Sequence, residues 1–287
     1  MECVFSVVIV YCGYRAALAS AAFCFLAAGC AGTETFGGSR ERVEEWAALR
    51  SFRAEAIDAG GFTLFSLLRG KAATVTIYIE GDGAPWPSVF QPPRDPTPLR
   101  PLALALAARD PAPSVAYLGR PCQYLDEAQR KGCGVAYWSS RRFAPEAVAA
   151  MDEAANRLKA STGARRVRLV GHSGGGVIAA LLAMRRNDVD SLVTIAAPLS
   201  LSDWTAVHGL SPFEDASDPL LVQTALSAQA VHFAGGGDTV VPLAIVEAFV
   251  RRRGGRLETV ADFDHDCCWA RDWPILLQRA GMEGMAP

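Results

Sequence analysis

Short apolar runs recur along the chain, separated by segments whose apolar residues repeat at helical spacing. Residues 75–79, 115–118, 167–170, 192–196, 231–234 and 257–260 predict strands, and residues 99–108, 145–159, 175–186, 242–252 and 272–279 predict helices. Strand and helix in alternation are the pattern of a mostly parallel sheet covered by helices. Residues 52–57 and 62–68 flank Asp58-Ala59-Gly60-Gly61 and predict an opening antiparallel hairpin. No internal repeat is visible. The one biased stretch, residues 85–101, is rich in proline, and residues 201–219 are the only candidate for a cap over a site.

The first thirty residues break this pattern. Glu2 and Arg15 are their only charges, and the rest is mostly Ala, Val, Phe, Leu and Cys. Such a segment reads as an export signal with Arg15 as its positive region, or as a single membrane anchor. The uncharged run 16–28 suits a signal and is short for a bilayer core of about 30 Å. Residues 31–42 then turn to Gly, Thr, Ser and charge, which predicts a flexible tether. The expected organisation is a signal peptide over 1–29, a tether over 30–42 and one domain over 43–287.

With 51% hydrophobic and 20% charged residues in 287, the chain can bury one large core, which excludes a disordered chain or a coiled coil. A net charge of -2 without a long basic cluster gives no electrostatic footprint for nucleic acid. Eight cysteines are present, four of them at or before Cys30. Of the remaining four, Cys122 and Cys133 would close a short polar loop as a disulfide in an oxidising compartment; free buried thiols are the alternative. Cys267 and Cys268 stay unassigned, and no cysteine shows zinc-ligand spacing with histidine.

Chemistry concentrates at Gly171-His172-Ser173-Gly174-Gly175, a G-x-S-x-G sequence. The motif alone is weak, but Val167-Arg168-Leu169-Val170 before it has a strand pattern and residues 177–183 after it a helix pattern. A sharp strand-to-helix turn is the setting in which such a serine becomes an exposed nucleophile. The alternative is a glycine-rich turn that packs a helix on a sheet or cradles a phosphate. A serine nucleophile needs a base and a carboxylate behind it. Among four histidines, His172 lies inside the turn and is expected to point away. His232 sits in an apolar run as a core residue, and His208 is expected to line the pocket or make a structural hydrogen bond. His265, in a polar loop after the last strand, fits the chain order serine, acid, histidine, and Asp238, ending the preceding strand, fits the acid.

The chain resembles bacterial alpha/beta-hydrolases over residues 52–277, and more narrowly exported lipoprotein members of that superfamily with a Ser-Asp-His triad. The residues that carry the likeness are Tyr78-Ile79-Glu80-Gly81-Asp82-Gly83, Arg120-Pro121-Cys122-Gln123-Tyr124, the serine motif, Ala196-Ala197-Pro198-Leu199, Gly236-Gly237-Asp238-Thr239-Val240-Val241-Pro242 and His265-Asp266-Cys267-Cys268-Trp269. Many members carry His-Gly where this chain has Glu80-Gly81. Similarly, Leu26-Ala27-Ala28-Gly29-Cys30 resembles a bacterial lipobox, which implies lipidation at Cys30 and attachment to a membrane facing the periplasm or cell exterior.

The resemblance implies an α/β fold of the alpha/beta-hydrolase type, with a mostly parallel central sheet, helices on both faces and antiparallel first strands. It implies a serine hydrolase acting on a small-molecule or lipid ester through Ser173, Asp238 and His265, without cofactor or metal. The oxyanion donors would be the backbone amides of Gly174 and Asp82, with the Asp82 carboxylate turned outward to solvent. Serine in place of aspartate as nucleophile argues against haloalkane dehalogenase and epoxide hydrolase chemistry. An exported binding or scaffold lipoprotein that keeps the fold without turnover is the alternative of another class. Trp86, Val89 and Phe90 are candidates for an acyl-pocket wall, or equally for packing the proline-rich segment down onto the domain.

Overall fold

A computed structural model describes residues 36–282 except Pro85, Val89, Phe90 and Gly132. The segment expected to be a signal, Cys30 and the start of the expected tether lie outside the described residues, as do Val89 and Phe90 of the suggested pocket wall. In chain order the elements are α1 (Arg40–Ala48), β1 (Arg53–Ala59), β2 (Phe62–Gly70), β3 (Thr74–Ile79), α2 (Leu102–Ala107), β4 (Ser114–Leu118), α3 (Glu127–Lys131), α4 (Pro145–Thr162), β5 (Arg166–His172), α5 (Gly174–Arg185), β6 (Val189–Ile195), α6 (Leu201–Val207), β7 (Gln229–Gly235), α7 (Leu243–Arg253), β8 (Arg256–Val260) and α8 (Trp269–Arg279).

The strands form one sheet in the order β1-β2-β4-β3-β5-β6-β7-β8. β1 and β2 pair antiparallel, as do β2 and β4; every later pairing is parallel. Alternation along the strands divides the core in two. Val75, Ile77 and Ile79 of β3 join α4, α5 and α7 in one cluster, and Tyr78 joins α1, α2 and α8 in the other. α5 is apolar on all sides because it is buried on all sides, from Val177 to Met184. α4 begins with Pro145 at its first turn and ends at Gly163, whose φ of 70° is the left-handed conformation that suits glycine. Among the described residues no helix is long and apolar enough to cross a membrane.

The sheet order decides where a site can form. β3 lies between β4 and β5, so the chain leaves β3 toward one edge and later returns on its other side. Ile79 pairs with Gly171, so the segments following β3 and β5 emerge side by side at the carboxyl ends of parallel strands. A crevice at such a reversal is the usual ligand position in an open α/β sheet.

Composition assigned residues 30–42 to a tether, but the ordered domain takes in at least residues 36–42. The Gly37 and Gly38 amides donate to Leu99 O (3.1 Å) and Pro98 O (2.8 Å). Phe36 stacks on Trp46 with ring centroids 4.1 Å apart, and Ser39 Oγ caps α1 by accepting from Arg42 N at 3.3 Å. Gly37 passes so close to Pro98 O that a Cβ would come within 2.4 Å, so the glycines here serve packing and not flexibility.

Candidate active site

β5 runs into Ser173, which has φ 51° and ψ -127°, and α5 starts at the next residue. This strained turn depends on three glycines. A Cβ at Gly171 would meet Gly175 O at 2.3 Å, one at Gly175 would meet Ile79 O at 2.3 Å, and one at Gly174 would meet Asp82 Oδ1 at 2.0 Å. The Ser173 amide is anchored on Ile195 O at 2.9 Å, so the serine is fixed to β6 as well as β5.

The structure brings Ser173, His265 and Asp238 together. His265 Nδ1 lies 3.0 Å from Asp238 Oδ2, and His265 Nε2 lies 3.1 Å from Ser173 Oγ. The Asp238 side chain is wholly buried. Its Oδ1 accepts the amides of Val240 and Val241, both at 2.8 Å, which leaves Oδ2 for the imidazole. Donation from Nδ1 to this carboxylate holds the tautomer whose Nε2 lone pair accepts the Ser173 hydroxyl proton. Helix α6 braces the same loop, since Trp204 Nε1 and His208 Nε2 both donate to Val240 O, at 2.7 and 2.8 Å. His208 also lines the cleft.

The two aspartates beside His265 do other work. Asp264 Oδ1 accepts the amides of Asp266 (2.9 Å) and Cys267 (2.7 Å), which turns the loop and holds its carboxyl below the usual carboxylate range. The Asp266 side chain has no partner among the described residues and is exposed at the cleft rim. The His265 carbonyl accepts from Trp269 Nε1 (3.2 Å) and from His172 Nε2 (3.1 Å).

That last contact corrects the expectation for His172. Its ring turns toward His265, with centroids 5.1 Å apart, instead of away. Burial, and then the proximity of His265, drive its pKa down to about 3, so it stays neutral and donates from Nε2. His232 bonds Thr194 Oγ1 through Nδ1 at 2.8 Å inside the core, while its Nε2 is buried without a partner among the described residues.

Asp82 also departs from expectation. Its carboxylate turns inward, against Gly174, between Arg120 Nη1 (3.4 Å) and Arg142 Nε (3.3 Å). Two guanidiniums flank the partly exposed carboxylate and compensate its charge beside the serine turn. Burial lowers Arg120 to about 10, which leaves it charged at neutral pH. Behind it, Glu80 accepts from the Gly81 amide at 2.9 Å and from Tyr117 OH at 3.1 Å, and burial raises its pKa to about 7. The amides of Asp82 and Gly174 have no acceptor among the described residues.

Sequence reasoning gave Gln123 no role beyond the family likeness and passed over Arg142. Gln123 Nε2 donates to Gly81 O at 3.0 Å and its Oε1 accepts Arg120 N at 2.9 Å, so it braces the segment after β3. The Cys122–Cys133 disulfide, with Cα atoms 5.7 Å apart, closes the loop that carries it. Cys267 and Cys268 are joined to each other, in the loop next to His265. Arg142 sits in a segment without periodic pattern, so only folding reveals that it reaches the site. Among the described residues no group of three or more His, Cys, Asp or Glu side chains has an arrangement that would hold a metal.

Ser173, His265, His172, Asp82 and Arg142 line one cleft of about 1030 Å³, whose walls include Trp86, Trp204, Phe213 and Val240. Residues 130–236, which hold the serine turn and the strand leading to Asp238, match the alpha/beta hydrolase fold family. An esterase from Pyrococcus furiosus superposes with a TM-score of 0.57 at 13% identity, over 82% of this chain and 92% of its own. The fold is the alpha/beta-hydrolase fold. An alpha-beta serine hydrolase homologue from Coxiella burnetii shares it (TM-score 0.51, 13% identity, 82% of this chain and 97% of that one). So does a Xanthomonas campestris protein described as an a/b serine hydrolase without a lid (0.53, 14%, 82% and 97%). No curated protein matches the sequence. Within this hydrolase fold the short α6 and the segment after it occupy the place predicted for a cap.

Proposed function

We propose that the protein is a serine hydrolase that cleaves an ester or related acyl bond through a Ser173 acyl-enzyme. The observation that carries the reading is the unbroken chain from Ser173 Oγ to His265 Nε2 (3.1 Å) and from His265 Nδ1 to Asp238 Oδ2 (3.0 Å) at the floor of an open cleft. Ser173 Oγ attacks the acyl carbon as His265 takes its proton, and the carbonyl oxygen gains the negative charge. The unengaged amides of Gly174 and Asp82 are available to that oxygen, beside the N-terminus of α5, whose dipole favours negative charge. His265 returns the proton to the leaving alcohol, and the ester to Ser173 remains. Water then attacks the acyl-enzyme with His265 as base, which releases the acid and restores the serine. Protons and bonds balance with these side chains and water alone. Asp238 holds the imidazole in place and stabilises the imidazolium.

The esterase and serine hydrolases that share the fold support this reading. The substrate is a small-molecule or lipid ester, and the protein acts outside the cytoplasm, held to a membrane through lipidated Cys30. Fluorophosphonate labelling of the purified domain tests the chemistry: label on the parent and none on Ser173→Ala is the expected result. A folded parent that takes no label would favour a non-catalytic scaffold.

A further inference from the structure

Arg142 is an arginine without a full set of partners at the wall of the cleft. Its side chain is 10% exposed. Its Nε is buried and, though 3.3 Å from Asp82 Oδ2, makes no hydrogen bond of acceptable geometry. Its two terminal nitrogens donate to no group among the described residues. The guanidinium carbon lies 4.6 Å from the centroid of Phe213, 5.6 Å from Phe143 and 5.9 Å from Trp204. These rings pack against the guanidinium and hold it in place. Unlike the sealed Nε, the two terminal nitrogens are open to solvent in the cleft lining, so the fork presents free donors that an anion can engage.

The surrounding charges leave room for an anion. Among the described residues Asp82 is the only carboxylate paired with Arg142, and it is shared with Arg120, whose Nη1 takes the other oxygen. Arg120 spends Nη2 on the Arg142 carbonyl at 2.6 Å. Glu80 lies behind Arg120, engaged by the Gly81 amide and Tyr117, and the exposed Arg100 adds a second cation to the cleft lining. Asp266, the remaining carboxylate of the lining, stands at the His265 loop. Asp82 also fixes the distance to the chemistry. The oxygen that faces Arg142 lies 2.8 Å from the point a Gly174 Cβ would occupy, so one carboxylate separates the guanidinium from the serine turn.

We infer that Arg142 is an anion subsite, and that the substrate is an ester carrying a carboxylate or similar anionic group within a few bonds of the scissile carbonyl. The inference rests on the cleft being an ester site. It adds a specificity residue, because a planar fork backed by aromatic rings recognises a carboxylate by paired hydrogen bonds that a neutral ester does not offer.

Binding to Ser173→Ala, measured by calorimetry, tests this without turnover. One matched pair places the charge on the acyl side, 4-nitrophenyl hemiglutarate against 4-nitrophenyl pentanoate. The other places it on the alcohol side, butyryloxyacetate against propyl butyrate. The anionic member of at least one pair should bind about tenfold tighter or more, and Arg142→Gln in the same background should remove most of that ratio. Should the Gln variant fail to fold, Arg142→Lys keeps the pairing with Asp82 and should lower the ratio severalfold through loss of the fork. Equal affinity within both pairs, or a preference that survives both substitutions, would overturn the subsite and leave Arg142 as a counterion of Asp82. A preference in Ser173→Ala with no fluorophosphonate label on the parent would reject the acyl-enzyme while the subsite stands. Label without preference would do the reverse.

Discussion

In the proposed mechanism three aspartates compete for the role of triad acid, and their hydrogen bonds separate them. Asp238 gives one oxygen to two amides and the other to His265, whereas Asp264 spends its oxygen on its own loop and Asp266 faces solvent. Asp238→Asn should therefore fold and lose turnover by up to about 10⁴, because an amide facing Nδ1 favours the wrong tautomer. Asp264→Asn keeps a carbonyl for the two amides and should stay within about tenfold, as should Asp266→Asn. Steady-state rates beside melting curves decide it: a larger loss in either flanking variant, at equal stability, moves the acid elsewhere. Glu80 makes a separate prediction about pH. Its pKa is raised from 4.5 to about 7 by burial, so the folded state holds a proton that the unfolded state has released across that interval. Its contribution to stability is present at and below pH 4.5 and is lost as pH rises through about 7. Glu80→Gln retains an acceptor for the Gly81 amide and never ionises, so its melting temperature relative to the parent should be higher at pH 8 than at pH 5. An offset that does not change with pH would show that Glu80 ionises as it does in the unfolded chain.

The strand and helix positions that decide the fold were legible because each strand is a short apolar run and α4, α5 and α7 sit between such runs. All eight strands fall where the pattern placed them, within a few residues at their ends. The serine turn was legible for a steric reason: three of its positions tolerate no side chain, so the glycines write the geometry into the sequence. α1 and α6 escaped because neither has a long apolar face. α1 buries only Val43 and Ala47, and α6 only Leu201 and Thr205, so nothing in their periodicity separates them from loops. What the pattern missed at the site has a different cause. The inward turn of Asp82 depends on Arg120 and Arg142, residues 38 and 60 positions downstream, which β4 and the loop before α4 bring to the end of β3. The contact between His172 and the His265 carbonyl spans 93 positions. Local sequence carries no trace of either pairing, since both are created by the order of strands in the sheet.

Residues 1–30 and the folded domain pose one question together, namely where the protein works. Two disulfides hold the domain, Cys122–Cys133 and Cys267–Cys268, and such bonds persist in oxidising compartments. An uncharged run over 16–28, ending in Leu26-Ala27-Ala28-Gly29-Cys30, fits export followed by lipidation. The ordered domain has begun by Phe36, which leaves only residues 31–35 between a lipidated Cys30 and the first described residue. A spacer this short reaches at most about 20 Å when extended, so an anchored domain would work close to the bilayer surface. Expressed from its full gene in a bacterial host, the parent should fractionate with membranes, at the mass of a chain that starts at a lipidated Cys30. Cys30→Ser should lose the lipid, and should either release the domain from the membrane or persist as an unprocessed precursor. A single uncleaved anchor makes the opposite forecast, because it depends on the apolar run and not on one thiol. Membrane fraction and intact mass unchanged by Cys30→Ser would therefore reject the lipid anchor in favour of that alternative, while leaving the chemistry at Ser173 untouched.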